Sequence, residues 1–395
     1  MTDLPRIDQT LEVRRDALGV VQISGSHNVV TIMLSGVEVA RAAEPKPGAS
    51  DLGPNPYQGL LAFDETTHHL FFGRETLSAA LLEKVRRLLR DGGGAPRLLG
   101  ILGPSGSGKS SVARAGLIPA IAGCDDTLFV RARVAVFRPG PSPVRALAFA
   151  LARVATDDPA PAAKTTEFEK EIRDRAAAGA HDGLTRLVDD LTGGGRLLIL
   201  LADQFEETFT RTRPAGSRDA AAAREERDIF VAALRHAATA PYRAFLLVLT
   251  LRVDLFGELA EYPEFSRDLA ERHVLVGPML DDELRRAIAE PARRSGYELP
   301  KAVVDGLISQ VRDNPGALPL VQYALWQFWQ KLELAGVDRA REEEALATLN
   351  AIGPAMAKTA NEAMARLGDD KKALAWRAFT AGVQLGEGVP DTRRR

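Results

Sequence analysis

Apolar positions along the chain fall into short unbroken or alternating runs, separated by longer stretches with helical spacing. Residues 97–103 (RLLGILG), 197–202 (LLILLA) and 244–251 (AFLLVLTL) are continuous apolar runs of strand length, the pattern of strands covered on both faces. Residues 128–137 (LFVRARVAVF) alternate apolar and arginine positions and predict another strand, and 273–276 (HVLV) predict the last. Between the runs the spacing predicts helices over 77–89, 111–121, 144–155, 167–191 and 216–238; the fourth is densely charged with mixed sign, as a solvated face would be. Strands alternating with helices in this way predict an α/β fold built on a parallel sheet. Beyond Gly277 the pattern is helical only, with helices expected over 281–294, 303–311, 318–334, 342–349, 355–367 and 371–381.

The first 55 residues follow a different pattern. Residues 19–36 (GVVQISGSHNVVTIMLSG) carry two β-rich arms, 20–23 and 29–34, around a Gly-Ser-His centre. One reading is a small hairpin. The other is homotypic stacking of residues 21–34, because the segment is short, uncharged, free of proline and rich in Val, Ile, Gln and Asn, which favours in-register cross-β strands. Residues 38–55 turn to Ala, Pro and Gly with mixed charge and read as a linker.

Composition narrows the classes. A length of 395 residues allows two to four domains. The 51 basic and 53 acidic residues nearly cancel, which argues against general attraction to nucleic acid or an anionic membrane. A single cysteine, Cys124, leaves no internal disulfide framework and suits a reducing compartment. No apolar run has the length of a membrane span and the start does not read as a signal peptide, so the expectation is a cytoplasmic, soluble protein.

Chemistry concentrates where the strands end. Gly103, Pro104, Ser105, Gly106, Ser107, Gly108, Lys109 and Ser110 match G-x-x-x-x-G-K-[ST], after an apolar run and before a helical one. In such a loop the glycines let backbone N–H groups turn inward on phosphates, and the helix directs its positive N-terminal end at the same charge. Lys109 would reach the β- and γ-phosphates and the Ser110 hydroxyl would bind Mg²⁺, with Ser111 beside it. Asp203, at the end of the run 197–202, stands where ligands meet α/β sheets and fits an acid associated with Mg²⁺. Glu206 or Glu207 could orient and deprotonate an attacking water, although Glu207 could equally complement a helix N-terminus. Arg252 closes another strand and could sense a γ-phosphate through a charge-assisted contact, or pair with Asp254. His68 and His69 have no Cys or acidic partner at ligand spacing and are not expected to bind metal. Trp326 and Trp329, three apart, read as core.

The segment FFGRE at 71–75, about thirty residues before the phosphate loop, resembles the hydrophobic-hydrophobic-Gly-Arg-Glu element of the STAND NTPases, signal-transduction ATPases that include NACHT and NB-ARC proteins. The longer run PYQGLLAFDETTHHLFFGRE followed by GPSGSGKSSVARAGLIPA is most similar to the bacterial novel STAND group. The resemblance implies that ATP or ADP is the nucleotide and that Phe72, Gly73 and Arg74 lie against the adenine. Phe71 or Phe72 could cover the ring, and Gly73 would permit close backbone approach. It favours Glu206 over Glu207 as the water-activating acid and places Arg252 at a sensor position. Pro315 to Trp329 (PGALPLVQYALWQFW) resembles the Gly-x-Pro-Leu element of the STAND lid, which places Pro319 near the base by resemblance alone. The segment after the lid resembles a winged helix, and residues 19–36 resemble the RIP homotypic interaction motif and bacterial amyloid signalling motifs, with Ser24 as one extra residue.

The resulting expectation is an α/β P-loop NTPase core with a parallel sheet over 56–276, a helical lid over 277–335 and a partial winged-helix segment over 336–395. A short β-prone signalling segment over 1–37 and the linker 38–55 precede them. The family resemblance implies a nucleotide-dependent switch that hydrolyses ATP slowly, oligomerises with itself on an unknown activating ligand and recruits an effector, as in bacterial immune-type signalling. It also implies that the chain continues past Arg395 into a sensor repeat array. A DNA-associated ATPase with a winged helix and a non-hydrolysing nucleotide-binding scaffold are the alternatives. The balanced charge argues against the first of these.

Overall fold

The computed structural model describes residues 30–32 (backbone only), 52–90, 94–130, 132–193, 195–210, 217–241, 244–312, 315–335, 345–346, 349, 364–365, 367–381, 383–384 and 392–393. Its centre is a six-stranded sheet. The strands are β1 (Val30–Ile32), β2 (Leu98–Gly103), β3 (Arg133–Phe137), β4 (Leu198–Ala202), β5 (Phe245–Arg252) and β6 (His273–Leu275). They lie in the order β1-β3-β4-β5-β2-β6. All pairs from β3 to β6 are parallel, while β1 runs antiparallel on β3 at one edge.

The unbroken apolar runs are explained by cover on both faces. In β5, Phe245, Leu247, Leu249 and Leu251 enter one core, and Leu246 and Val248 enter the other. The first core is closed by α4 (Pro143–Thr156), α5 (Ala162–Ala177), α6 (Gly183–Thr192) and α8 (Ser217–Thr239), and the second by α1 (Glu75–Arg90) and the helix after the phosphate loop. That helix is composite: α2 (Lys109–Ser111), a wider π turn over Val112–Leu117, then α3 (Ile118–Ala122). π turns of this kind are often found at functional positions. A short helix α7 (Glu207–Thr210) follows β4, and a 3₁₀ turn (Val253–Glu261) with α9 (Pro263–Glu271) follows β5.

A third apolar cluster belongs to the helices beyond the sheet, α10 (Asp281–Arg294), α11 (Lys301–Arg312) and α12 (Leu318–Ala335). Trp329 is wholly buried in it, and Trp326 is partly buried against it. The cluster also takes in Tyr57 from far upstream, whose hydroxyl donates to the Ile288 carbonyl at 2.6 Å. Residues 52–75 thus form a strap. At its start Gly53 N–H bonds Ser295 O at 2.8 Å and Asn55 Nδ2 bonds Trp326 O at 3.0 Å, both on the helical layer. Further on, Phe63 N–H donates to Ser111 Oγ at 3.1 Å, and Arg114 pairs with Glu65 at 2.9 Å, both on the sheet domain. Two further helical and strand pieces are described near the end of the chain, α13 (Asp369–Ala381) and the antiparallel pair β7 (Val383–Gln384) and β8 (Thr392–Arg393).

The α/β expectation and the parallel sheet hold. Three element assignments change. The alternating run 128–137 is a strand only from Arg133, because residues 127–130 form a turn held by Phe129 N–H to Asp126 O at 2.9 Å. The single helix expected over 167–191 is two, interrupted where Gly179 (φ +73°) and His181 (φ +54°) take the left-handed conformation, which no helix can continue through. The 3₁₀ turn and α9 were not anticipated, since their nine apolar and polar positions each are too few to establish a period. The arm 20–23, the linker 38–51 and most of 336–368 lie outside the described residues, and so does the comparison of hairpin with stacking at 19–36.

Phe205, in the turn between β4 and α7, is wholly buried and stacks on Phe230 at 5.9 Å and Phe265 at 5.7 Å between ring centroids. Phe205→Ala is expected to destabilise the protein by about 3–5 kcal/mol, read as a lower urea midpoint with an unchanged slope.

Candidate nucleotide-binding site

The parallel strands all present their C-terminal ends at one edge of the sheet, and the phosphate loop, Asp203 and Arg252 meet there because β2 and β4 flank β5. The loop leaves β2 at Gly103. Gly106 (φ +77°) and Gly108 (φ +88°) adopt the left-handed backbone that an L side chain resists, so the turn into α2 requires glycine at both positions. Lys109 is buried at the helix start and its Nζ donates to Pro104 O at 2.8 Å. Ser110 Oγ donates to Asp203 Oδ1 at 2.7 Å.

Asp203 is 1% exposed. Besides Ser110, its Oδ1 accepts from Thr250 Oγ1 at 2.8 Å, and Arg138 Nε lies 3.4 Å from Oδ2. Gln204 follows with a left-handed backbone (φ +56°), held by its N–H to Thr250 Oγ1 at 2.8 Å. This conformation carries the chain off the strand, so that Phe205 enters the core while Gln204 and Glu206 line a cavity of about 220 Å³. Burial pushes the Glu206 carboxyl above the ordinary glutamate range, partly opposed by the Lys109 charge. Burial also lowers Lys109 from the usual lysine value, with Glu206 acting against it. Glu206 Oε2 is buried with no hydrogen-bond partner among the described residues. Glu207 is buried in the first turn of α7 and does not line the cavity. Arg252 lines the cavity, and its guanidinium is held by Asp254 through bonds of 3.1 and 2.6 Å, which raise its pKa. Of the two readings of Arg252, the pairing with Asp254 is the one present here, on a side chain that also lines the cavity.

The cavity extends from the phosphate loop to an apolar end enclosed by the strap and the helical layer. Ser105 to Ser111 line it on one side, and Phe71, Phe72, Arg74 and Pro319 on others. Pro319 packs on the loop itself: a Cβ at Gly106 would come within 3.2 Å of Pro319 Cγ. Phe71 packs into the second core and against Phe63 at 5.6 Å between centroids, while Phe72 lies under the Arg294 guanidinium at 4.7 Å. Gly73 is outside the lining. Its close approach is to α10, where a Cβ would stand 2.3 Å from Glu283 O. Arg74 is buried and tied to Gly277 O at 2.6 Å and to Glu283 at 3.5 Å. Gly73 and Arg74 thus serve the contact between strap and helical layer in this structure. Gly103, Pro104 and Asp203 are not in the lining, but Pro104 and Asp203 hold lining residues, Lys109 and Ser110, through hydrogen bonds.

Four residues at the site escaped the sequence reading. Arg138 stands just past the end of β3 and Arg252 is the last residue of β5, so the strand-end rule applied to β3 would have found it. Thr250 and Gln204 carry no signal in one sequence. Gln322 lines the cavity one helical turn after Pro319, a spacing the pattern contains but gives no reason to select. Among the described residues no group of three His, Cys, Asp or Glu could hold a metal, and His68 and His69 do not line the cavity, although Leu70 on the same 3₁₀ turn does.

A lysine and a serine presented at a helix start by a loop that turns through Gly106 and Gly108 are suited to holding a chain of phosphates, and the sheet behind them defines the class of the P-loop NTPases. The sequence profile described as Novel STAND NTPase 1 matches residues 56–395, and the chain belongs to that family. No curated protein matches the sequence. Among solved structures, the chain is similar to the ORC2 protein of Aeropyrum pernix in its ADPNP-ADP complexes, at 18% identity over 70% of this chain and 68% of that one with a TM-score of 0.44. It is also similar to the Walker-type ATPase PABY2304 of Pyrococcus abyssi, at 17% identity over 78% and 79% with a TM-score of 0.41. Domain III of the Thermotoga maritima replication initiation protein DnaA matches at 14% identity over 76% and 98% with a TM-score of 0.38.

Thr250 is fully buried and holds both Asp203 and the Gln204 N–H. Thr250→Val removes both bonds with little change of shape and is expected to cost about 2–4 kcal/mol, while Thr250→Ser costs less than about half of that. Chemical denaturation of the two variants measures the difference.

Proposed function

We propose that this chain is a nucleotide-dependent signalling switch that binds ATP or ADP between the sheet domain and the helical layer and hydrolyses ATP slowly. The observation carrying the reading is the convergence of Lys109, Ser110, Asp203 and Glu206 at one sheet edge, under a cover that reaches the loop through Pro319. The loop amides and Lys109 hold the phosphates. Ser110 and Asp203 already share a hydrogen bond, and a hydroxyl beside a carboxylate is a hard-oxygen set that suits Mg²⁺. When bound, Mg²⁺ supplies charge neutralisation at the β- and γ-phosphates. Glu206 faces the cavity with an unpartnered carboxylate oxygen and takes the proton of the attacking water. Arg252 reports the γ-phosphate by exchanging its bonds to Asp254 for bonds to the nucleotide.

The domain scheme follows the same reading: core over 56–276, lid over 277–335, a winged-helix-like segment after it and a β-prone segment before residue 38 that recruits an effector when copies cluster. A nucleotide can shift such a switch only if it binds the closed and open arrangements with different affinity. The contacts of α10 and α12 with FFGRE and the phosphate loop are those that opening would break. Self-association on an activating ligand, in a bacterial immune-type pathway, is the function these parts would serve.

Lys109→Ala is expected to reduce ATP affinity at least about tenfold and abolish hydrolysis, measured by isothermal titration and phosphate release. Glu206→Gln should keep ATP binding and lower turnover by about 10²–10⁴. Unchanged turnover in that variant would favour a non-hydrolysing scaffold. Because Glu206 is the base and its carboxyl is raised by burial, turnover should fall on acidification at a pH above the ordinary glutamate range. The stability sign is opposite. A carboxyl raised in the fold favours the folded state while it is protonated, and that contribution is lost as pH rises through its folded value. Glu206→Gln should therefore leave the unliganded protein at least as stable as wild type at pH 7, measured by thermal melting.

A further inference from the structure

The cavity has two chemically different ends. Its polar lining consists of the phosphate loop with its first helical turn, the sheet-edge residues Gln204, Glu206, Thr250 and Arg252, and two side chains elsewhere, Arg74 and Gln322. Arg74 is committed to Gly277 O and Glu283. Gln322 is therefore the neutral polar side chain available at the apolar end.

Its place is fixed by its neighbours on α12. Pro319, Gln322 and Trp326 are spaced by three and four residues and share one helical face. Pro319 rests on Gly106 of the phosphate loop, and Trp326 rests on Gly59 of the strap, where a Cβ would come within 3.5 Å of Trp326 Cγ. Gln322 thus stands between the loop and the strap, on the wall the helical layer contributes. Its Oε1 is buried and accepts no hydrogen bond among the described residues. A buried acceptor of this kind is retained at a cost unless a donor meets it.

We propose that Gln322 is the residue that reads the base, and that it selects a 6-aminopurine; the proposal rests on the nucleotide-binding reading above. A carboxamide presents an acceptor and a donor side by side. Adenine presents the complement, an exocyclic amino donor beside a ring-nitrogen acceptor. On the edge formed by N7 and the 6-substituent, purines with a 6-oxo group present two acceptors, O6 and N7, so Oε1 would remain unsatisfied against them there, and it is this edge that Gln322 is proposed to read. Selection by a polar group that must be satisfied is stronger than selection by shape alone. Because Gln322 and Pro319 are on the same helical face, the base is read by the helical layer while the phosphates are held by the sheet domain.

The test titrates the full chain with ADP and with inosine diphosphate, which replaces the 6-amino group by a 6-oxo group. Wild type is expected to prefer ADP by about tenfold or more. In Gln322→Met, which keeps length and volume but has no amide, the preference should collapse to within about threefold, with ADP affinity falling to that for inosine diphosphate. Gln322→Leu provides a second apolar replacement, and thermal melting verifies folding of both. A variant that keeps the wild-type ratio, or loses both ligands by the same factor, overturns the proposal. Wild type binding the two ligands equally overturns it while leaving nucleotide binding in place, and wild type binding neither overturns both readings.

Discussion

Everything at the site depends on one buried carboxylate. Asp203 is removed from water, and it is tolerated there because two hydroxyls donate to the same oxygen while an arginine lies near the other. The donors come from different elements: Ser110 from the helix after the phosphate loop, Thr250 from the strand between, and Arg138 from the end of β3. Satisfying the charge therefore fixes the relative positions of three strand ends and a helix start. Thr250 does this twice over, since its oxygen also holds the Gln204 N–H in a backbone conformation that non-glycine residues rarely adopt. The turn that follows sends Phe205 inward and Glu206 outward. Core packing and a catalytic candidate are thus set by adjacent residues.

The electrostatics at the cavity reinforce this arrangement. Lys109 is buried and Glu206 half-buried, each is displaced toward its neutral form by loss of water, and each charge opposes that displacement in the other. They are poised with respect to one another before any nucleotide enters. Arg252 is in a different condition, since it is held by Asp254 at the rim and is partly exposed. The pair it makes is a partly exposed one, of the kind that is cheaper to break than a buried pair.

Much of this arrangement was legible in the chain. Strands covered on both faces cannot avoid being continuous runs of apolar residues, so β2, β4 and β5 were read directly, and the residues that close them were read as the site. The phosphate loop is legible because its backbone needs Gly106 and Gly108 at fixed positions. The break at Gly179 and His181 was not, because a single glycine in a charged amphipathic run is compatible with a continuous helix until its backbone angle is known. Thr250 was hidden for another reason: one hydroxyl in an apolar strand acquires meaning only from what faces it across the sheet. Gly73 packs against Glu283 of α10, and Arg74 both lines the cavity and is tied to Gly277 and Glu283, contacts that sequence distance alone cannot carry.

The strap adds a mechanical property to the helical layer. That layer is joined to the sheet domain by the chain running from β6 into α10, and a second time by residues 52–63, which are fastened to α10 and α12 at Asn55 and Tyr57 and to the phosphate-loop helix at Phe63. A body attached at one point can swivel in any direction, whereas a body attached at two can only turn about the line joining them. The layer is tied to the sheet domain at two separate places, so any turn of one against the other that kept both ties would be restricted to the line joining them.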